Sequence, residues 1–354
     1  MPELLIKNYY LSLDQPRYYL AGFDLDYTLI KTKSGNVFPK NKNDWELLND
    51  QIKPKLTELS KNNKIIIVIF SNQKGIGCDK NVSIEDFTDK IDQIHKTLEI
   101  NFIFMGALQD DIYRKPRIGM YKHLTNVLKI KFNKANSFYV GDMAGRPSDK
   151  FDTDIKFASN LGIKFFVPEQ YFLEETNTQL FKLSGYLLNN SSSNTKLNIK
   201  PESNHMVIIS GYPGSGKSHL ANKFTKPDST GKSFELFSRD NFGTKFHKKL
   251  EDALANNKPV VIEGLYPSNA SRQELKNLAD KYKYNCTYIL VKTTYELAYH
   301  LNLYRHLYNN NNRVPEIVYM KYRKDFEHPQ ESDWDTVLEY HPHISKKINK
   351  YFLY

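Results

Sequence analysis

The sequence predicts an α/β protein made of two parallel-sheet domains, and three observations point there. Short apolar runs alternate with helical patterns along the chain. Two of those runs lead directly into residues suited to phosphate chemistry. A polar, serine-rich stretch separates the two halves. Strand–helix alternation favours parallel sheets covered by helices, with sites at the carboxyl ends of the strands. At 354 residues, the chain is long enough for two domains of ordinary size.

In the first domain, expected over residues 1–186, the apolar runs are Tyr18–Phe23, Ile65–Phe70, Phe102–Leu108, Ser137–Val140 and Lys164–Val167. Residues 187–204 are polar, contain a triple serine and have little to bury, so they read as a linker. The second domain, residues 205–354, repeats the style with Met206–Ser210, Phe234–Phe237, Val260–Ile262 and Cys286–Val291. The run Asn309-Asn-Asn-Asn-Arg313 marks a loop.

Hydrophobic residues make up 40% and charged residues 25%, a globular composition. No apolar stretch approaches the roughly 18–20 residues of a membrane span, and the N-terminus has no signal-peptide core. Cys78 and Cys286 fall in different domains and read as free thiols in a reducing compartment. The expectation is an intracellular, soluble protein with no membrane partner, nucleus and cytoplasm being equally open. A net charge of +10 favours a polyanionic partner such as DNA or RNA. The 24 tyrosines and 21 phenylalanines can supply stacking surfaces, although the core claims most of them.

The stretch Met206-Val-Ile-Ile-Ser-Gly-Tyr-Pro-Gly-Ser-Gly-Lys-Ser218 can hold nucleotide phosphates. It satisfies G-x-x-x-x-G-K-[ST] through Gly211, Gly216, Lys217 and Ser218, between an apolar run and a helical stretch. In the loop Gly211, Tyr212, Pro213, Gly214, Ser215, Gly216, the glycines let successive N–H groups turn toward phosphate oxygens. The helix N-terminus adds partial positive charge. Lys217 would reach the β- and γ-phosphates of ATP, and Ser218 would offer its hydroxyl to Mg²⁺.

A second constellation lies in the first half. Asp24, Asp26 and Thr28 follow the first apolar run. Two carboxylates at i and i+2 can share one phosphoryl group, one as nucleophile and the other as acid and base. Repulsion from the incoming phosphate requires a cation, for which Asp24, Asp26 and Asp142 are the candidate ligands. Ser71 and Asn72 close a strand and can hydrogen-bond the phosphate, while Lys115 supplies positive charge.

This ordered set resembles the haloacid-dehalogenase-type phosphatases. Joined to the phosphate-binding loop, the chain is similar to the bifunctional polynucleotide kinase/3′-phosphatase family. The particular stretches are Phe23-Asp-Leu-Asp-Tyr-Thr-Leu-Ile30, Ser34-Gly-Asn-Val-Phe-Pro39, Ser71-Asn-Gln-Lys-Gly-Ile-Gly77, Tyr113-Arg-Lys-Pro116 and Gly141-Asp-Met-Ala-Gly-Arg-Pro147. In the second half they are Ser238-Arg-Asp240, Pro267-Ser-Asn-Ala-Ser-Arg272 and Tyr322-Arg-Lys-Asp-Phe-Glu327. The resemblance implies a Rossmann-like phosphatase followed by a P-loop kinase.

It also implies roles. Asp24 would be the nucleophile, Asp26 the acid/base, Ser71 and Lys115 the phosphate grip, and Asp142 a Mg²⁺ ligand. Asp149 would be a secondary metal or loop-positioning residue and Asp154 a structural one. In the kinase half Asp240 would activate the 5′-hydroxyl, Arg239 and Arg272 would hold substrate phosphates, and Arg305 would cover the donor from a lid. Tyr27 stands where the family usually has glycine. Glu263 and Leu303 replace the aspartate and the additional arginine of animal relatives, and Glu263 can still orient a Mg²⁺-bound water. The animal members' N-terminal phosphopeptide-binding module is not expected. The implied activity is healing of DNA or RNA ends, with functional coupling to a ligase. The rivals are a catalytically inactive end-binding protein and a phosphatase/kinase pair acting on small nucleosides.

Overall fold

The computed structural model describes residues 3–13, 17–77, 82–176, 178–188 and 197–354. Cys78 and the centre of the expected linker, residues 189–196, lie outside the described residues. The chain divides into two compact units, Met1–Leu188 with Lys350–Tyr354, and Asn189–Asn349. No helix among the described residues is long and apolar enough to cross a membrane.

The first unit runs β1 (Leu4–Asn8), β2 (Arg17–Phe23), β3 (Ile30–Lys31), β4 (Glu46–Leu47), α1 (Ile52–Ser60), β5 (Ile65–Asn72), α2 (Ile84–Leu98), β6 (Ile103–Ala107), α3 (Gly119–Leu128), β7 (Lys131–Phe132), β8 (Phe138–Val140), α4 (Thr153–Leu161), β9 (Lys164–Phe166) and α5 (Pro168–Phe172). Its main sheet has the order β1-β6-β5-β2-β8-β9, with β7 paired to β2. All pairings are parallel except β1 with β6. The central strands are buried on both faces, which is why they read as unbroken apolar runs.

Alternate residues of β5 feed two cores. Ile67 and Ile69 pack with α1, α2 and Phe172, whereas Ile66, Val68 and Phe70 pack with α3 and α4. Helix α2 shows how the sequence sets an element. Ser83 caps it by accepting from the Asp86 N–H at 3.0 Å, and Glu85 and Asp86 complement the dipole. Phe87, Ile91, Ile94 and Leu98 recur at helical spacing and are buried, each contributing about 2 kcal/mol of apolar transfer.

The segment 350–354 completes this first unit rather than the second. Phe352 and Leu353 are buried. Arg117 Nε donates to the Leu353 carbonyl at 2.9 Å, and Lys156 Nζ donates to the Tyr354 carbonyl at 2.8 Å. Asn160 pairs with Phe352 in both directions, at 2.9 and 2.8 Å.

The second unit contains β10 (His205–Ser210), α6 (Lys217–Phe224), β11 (Glu235–Ser238), α7 (Arg239–Phe242), α8 (Phe246–Ala255), β12 (Val260–Glu263), α9 (Asn269–Lys281), β13 (Asn285–Val291), α10 (Tyr295–Asn309), α11 (Glu316–Asp325) and β14 (Thr336–Tyr340). Its sheet, β11-β12-β10-β13-β14, is parallel throughout. Helices α8 and α9 cover one face and α6 covers the other. Both units therefore have the parallel α/β architecture that the strand–helix alternation predicts.

Candidate active sites

In the first unit the strand ends bring the expected residues together. Asp24 follows β2, and its N–H bonds the Val140 carbonyl of β8 at 2.9 Å, which fixes it beside Asp142. Ser71 is buried at the end of β5. Lys115 is 3% exposed and donates to Asp24 Oδ1 at 2.7 Å, Asp154 Oδ1 at 2.7 Å and the Tyr139 hydroxyl at 2.8 Å. Asn72 fixes the Lys115 backbone, accepting its N–H at 2.8 Å and donating to its carbonyl at 3.2 Å.

Asp24, Asp142 and Asp154 offer oxygens that all lie within 4.8 Å of one another. Three clustered carboxylates suit a hard divalent cation. Burial, reinforced by the neighbouring carboxylates, holds the Asp24 and Asp142 carboxyls well above the ordinary carboxylate range; for both the Lys115 ammonium pulls the other way. Burial alone would lower Lys115, but Asp154 and Asp24 outweigh it and keep it above the ordinary lysine value.

Two expectations shift. Asp154, expected as structural, is a member of the three-carboxylate group, and its Oδ2 also accepts the Met143 N–H at 3.0 Å. Asp26, expected among the metal ligands, is not in that group, because it lies beyond the strand end and faces Gln73 and Lys90 instead. Asp149 holds its own loop, accepting from the Ala144 and Arg146 N–H groups at 3.0 Å each and pairing with the Arg146 guanidinium. Tyr27 does adopt the left-handed backbone of a glycine, at φ 57°. Its N–H bond to the Ile30 carbonyl at 2.7 Å and its hydroxyl bond to the Val37 carbonyl at 3.2 Å offset that cost.

In the second unit, Gly211, Gly214 and Gly216 all have positive φ, so the loop curls between β10 and α6. A Cβ on Gly211 would sit 2.8 Å from the Val291 carbonyl oxygen, which only glycine avoids. Ser215 Oγ is buried without a partner among the described residues, a free donor inside the loop. Lys217 is buried and donates to the carbonyls of Gly211 at 3.0 Å and Tyr212 at 2.6 Å. Burial pulls its pKa down to about 8; the charges that act on it are Glu263, then Arg305, then Asp240. The sheet register places Glu263 opposite both Ile209 and Ser238, at the loop end of the sheet.

Asp240 is exposed in the first turn of α7, where Ser238 is the cap, accepting from the Asn241 N–H at 3.2 Å. The Asp240 carboxylate is therefore left for another task than capping. Ser218 is exposed in the first turn of α6. Tyr212 packs on Tyr322 of α11 at 4.5 Å between ring centroids. From α10, the Arg305 Nε is buried with no partner among the described residues. Arg239 is exposed and rests against Glu274 and His247.

Arg272 departs from its expected role as a substrate-phosphate holder. It is 2% exposed, and its guanidinium donates to the carbonyls of Tyr266, Pro267 and Glu327 and to Asn269. With those bonds made it stitches the loop after β12 to the end of α11 and has no face toward solvent. The sequence does not reveal this, because a lone arginine on a helix looks the same whether it points outward or inward.

Comparison with known proteins gives a consistent result. The family model for polynucleotide kinase 3 phosphatase matches residues 19–172. The bifunctional polynucleotide phosphatase/kinase of Schizosaccharomyces pombe is 35% identical over 336 residues, covering 93% of this chain and 81% of that protein. The polynucleotide 3′-phosphatase of Saccharomyces cerevisiae is 30% identical over 206 residues, covering 43% of this chain and 86% of that protein. The polynucleotide 3′-phosphatase ZDP of Arabidopsis thaliana is 36% identical over 176 residues, covering 45% of this chain and 24% of that protein.

Proposed function

The chain belongs to the bifunctional polynucleotide phosphatase/kinase family, and we propose that it removes 3′-phosphates from nucleic-acid ends and phosphorylates 5′-hydroxyl ends from ATP. One observation carries the reading: each unit gathers, at the carboxyl ends of its parallel strands, a complete set of groups for phosphorus chemistry. The inactive-binder alternative would have no use for a Lys115 held between two carboxylates or for a lysine buried under a phosphate loop.

In the phosphatase, Asp24 attacks phosphorus as the bond to the 3′-oxygen breaks, and an aspartyl phosphate forms. Asp26 gives its proton to the departing oxygen, then takes one from the water that cleaves the acyl phosphate. Ser71 and Lys115 hold the phosphoryl oxygens, and Asn72 keeps Lys115 in place. Asp24, Asp142 and Asp154 would hold a divalent cation, for which Mg²⁺ is our choice. The cation supplies charge neutralisation between carboxylate and phosphate.

In the kinase, the loop N–H groups, Ser215 and Lys217 hold the donor phosphates, and Arg305 covers them from α10. Ser218 and Glu263 would hold the Mg²⁺ that accompanies ATP. Asp240 orients the 5′-hydroxyl and accepts its proton late in the transfer, while Arg239 takes a substrate phosphate. The products, a 3′-hydroxyl and a 5′-phosphate, are the ends a ligase joins.

The test is one incubation with Mg²⁺ and ATP of matched DNA and RNA strands bearing a 3′-phosphate and a 5′-hydroxyl, each end followed separately. Conversion of both ends is expected. Turnover of free nucleoside in preference to the oligonucleotide would transfer the reading to the small-molecule alternative.

A further inference from the structure

Gln73 follows the last residue of β5, and its backbone is tied down on both sides. Its N–H bonds the Ala107 carbonyl at 2.8 Å, and its carbonyl accepts the Ile76 N–H at 3.3 Å. From this fixed point the side-chain Nε2 makes two bonds at once, 2.6 Å to Asp26 Oδ2 and 2.8 Å to Ser71 Oγ. On the other side, Asp26 Oδ1 lies 3.7 Å from the ammonium of Lys90, a side chain only 5% exposed on α2.

Asp26 needs such support. Its side chain is 42% exposed, it sits past the strand end, and the neighbouring Tyr27 is in left-handed backbone. A carboxyl in that place samples several rotamers, and proton transfer requires it within hydrogen-bond reach of the departing oxygen. We propose that Gln73 is a positioning residue of the phosphatase reaction, aligning the Asp26 carboxyl with the phosphoryl group that Ser71 grips. The amide donor occupies Oδ2 and leaves Oδ1 as the oxygen that exchanges a proton with the substrate. One side chain thus ties the proton donor and the phosphate grip to a common rigid strand end.

This inference rests on the assignment of Asp26 as acid/base, and leaving groups separate the two. The alkoxide of a 3′-phosphorylated oligonucleotide must be protonated as it departs, whereas the phenolate of p-nitrophenyl phosphate leaves without help. The quantity to compare is kcat/KM, which reports formation of the aspartyl phosphate in both cases. Gln73→Ala, and Gln73→Met, which keeps much of the length and loses the donor without adding charge, are expected to lose about 30-fold or more on the oligonucleotide, within the range that general acid catalysis contributes. Their loss on p-nitrophenyl phosphate is expected to be at most a tenth of that factor. The same factor on both substrates, including no loss on either, overturns the proposal. Asp26→Asn is measured alongside. If it shows no leaving-group dependence, the acid/base assignment itself fails. If it shows that dependence and the Gln73 variants do not, only the positioning role fails.

Discussion

Replacing Lys217 with methionine should destroy 5′ phosphorylation and yet stabilise the nucleotide-free second unit. The lysine is buried, and burial draws its pKa down to about 8. An unfolded lysine titrates near 10.4. The folded value lies below the unfolded one, so the unfolded chain binds the extra proton between pH 8 and about 10.4, and stability rises with pH across that window. At pH 7 the buried charge costs about 3 kcal/mol, at 1.36 kcal/mol for each tenfold. Methionine removes that cost but leaves the Gly211 and Tyr212 carbonyls without their donor, a loss of about 2 kcal/mol for the two bonds. The net gain is about 1 kcal/mol, roughly 2–4 °C in Tm for a unit of this size. By pH 9.5 the wild-type lysine is already largely neutral, and the gain should vanish. Calorimetric melts of both proteins without nucleotide, at pH 7 and 9.5, measure it. The transition that ATP raises in the wild type identifies the second unit. A variant that melts lower at pH 7, or a gain that ignores pH, would refute the reasoning.

Asp24→Asn should abolish 3′-phosphate release while 5′ phosphorylation continues; phosphatase turnover in that variant would remove Asp24 from the nucleophile role. Divalent-cation affinity of the first unit should rise with pH, because Asp24 and Asp142 hold protons more tightly than ordinary carboxyls and the cation must expel them. Titration calorimetry in buffers of different ionisation enthalpy counts those protons, and a count of zero contradicts the geometry. Asp240→Asn should cut kcat for 5′ phosphorylation at least tenfold with ATP Kd little changed, since an amide cannot take up the proton. Near-normal kcat would assign the proton elsewhere. Raising salt from about 50 to 200 mM should weaken oligonucleotide binding severalfold and leave a mononucleoside phosphate much less affected; equal sensitivity would count against a polynucleotide substrate.

The residues legible in the sequence were those at the ends of fully buried strands. Phe23, Phe70, Val140 and Ser210 close runs in which almost every residue is buried, so composition alone announces where the next side chain emerges. Two of the edge strands gave no such signal. Strand β1 has only half-buried and exposed residues, and β14 has one buried residue in five. The site was legible where a motif keeps its members close in sequence, as in Gly211 to Ser218. It was not legible where partners arrive from elsewhere. Lys90 sits in the middle of an amphipathic helix, where a lysine ordinarily faces water, and only the packing of α2 shows it turned toward Asp26. Asp154 read as structural because nothing in its neighbourhood reveals that its carboxylate reaches Asp24 and Asp142 through the loop after β8. The burial of Arg272 was illegible for the converse reason, its donors being consumed by carbonyls that the sequence cannot place.

Residues 350–354 impose an order on folding. A ribosome commonly releases an N-terminal domain that folds while the remainder is still being made. Here the first unit stays unfinished until every residue of the second has been translated, because Arg117, Lys156 and Asn160 wait for acceptors on Phe352, Leu353 and Tyr354. Arg117 lies two residues from Lys115, so the last stitches are made beside the lysine that pairs with Asp24 and Asp154. A nascent chain still lacking residues 350–354 would carry the Asp24, Asp142 and Asp154 cluster with that part of its scaffold still open.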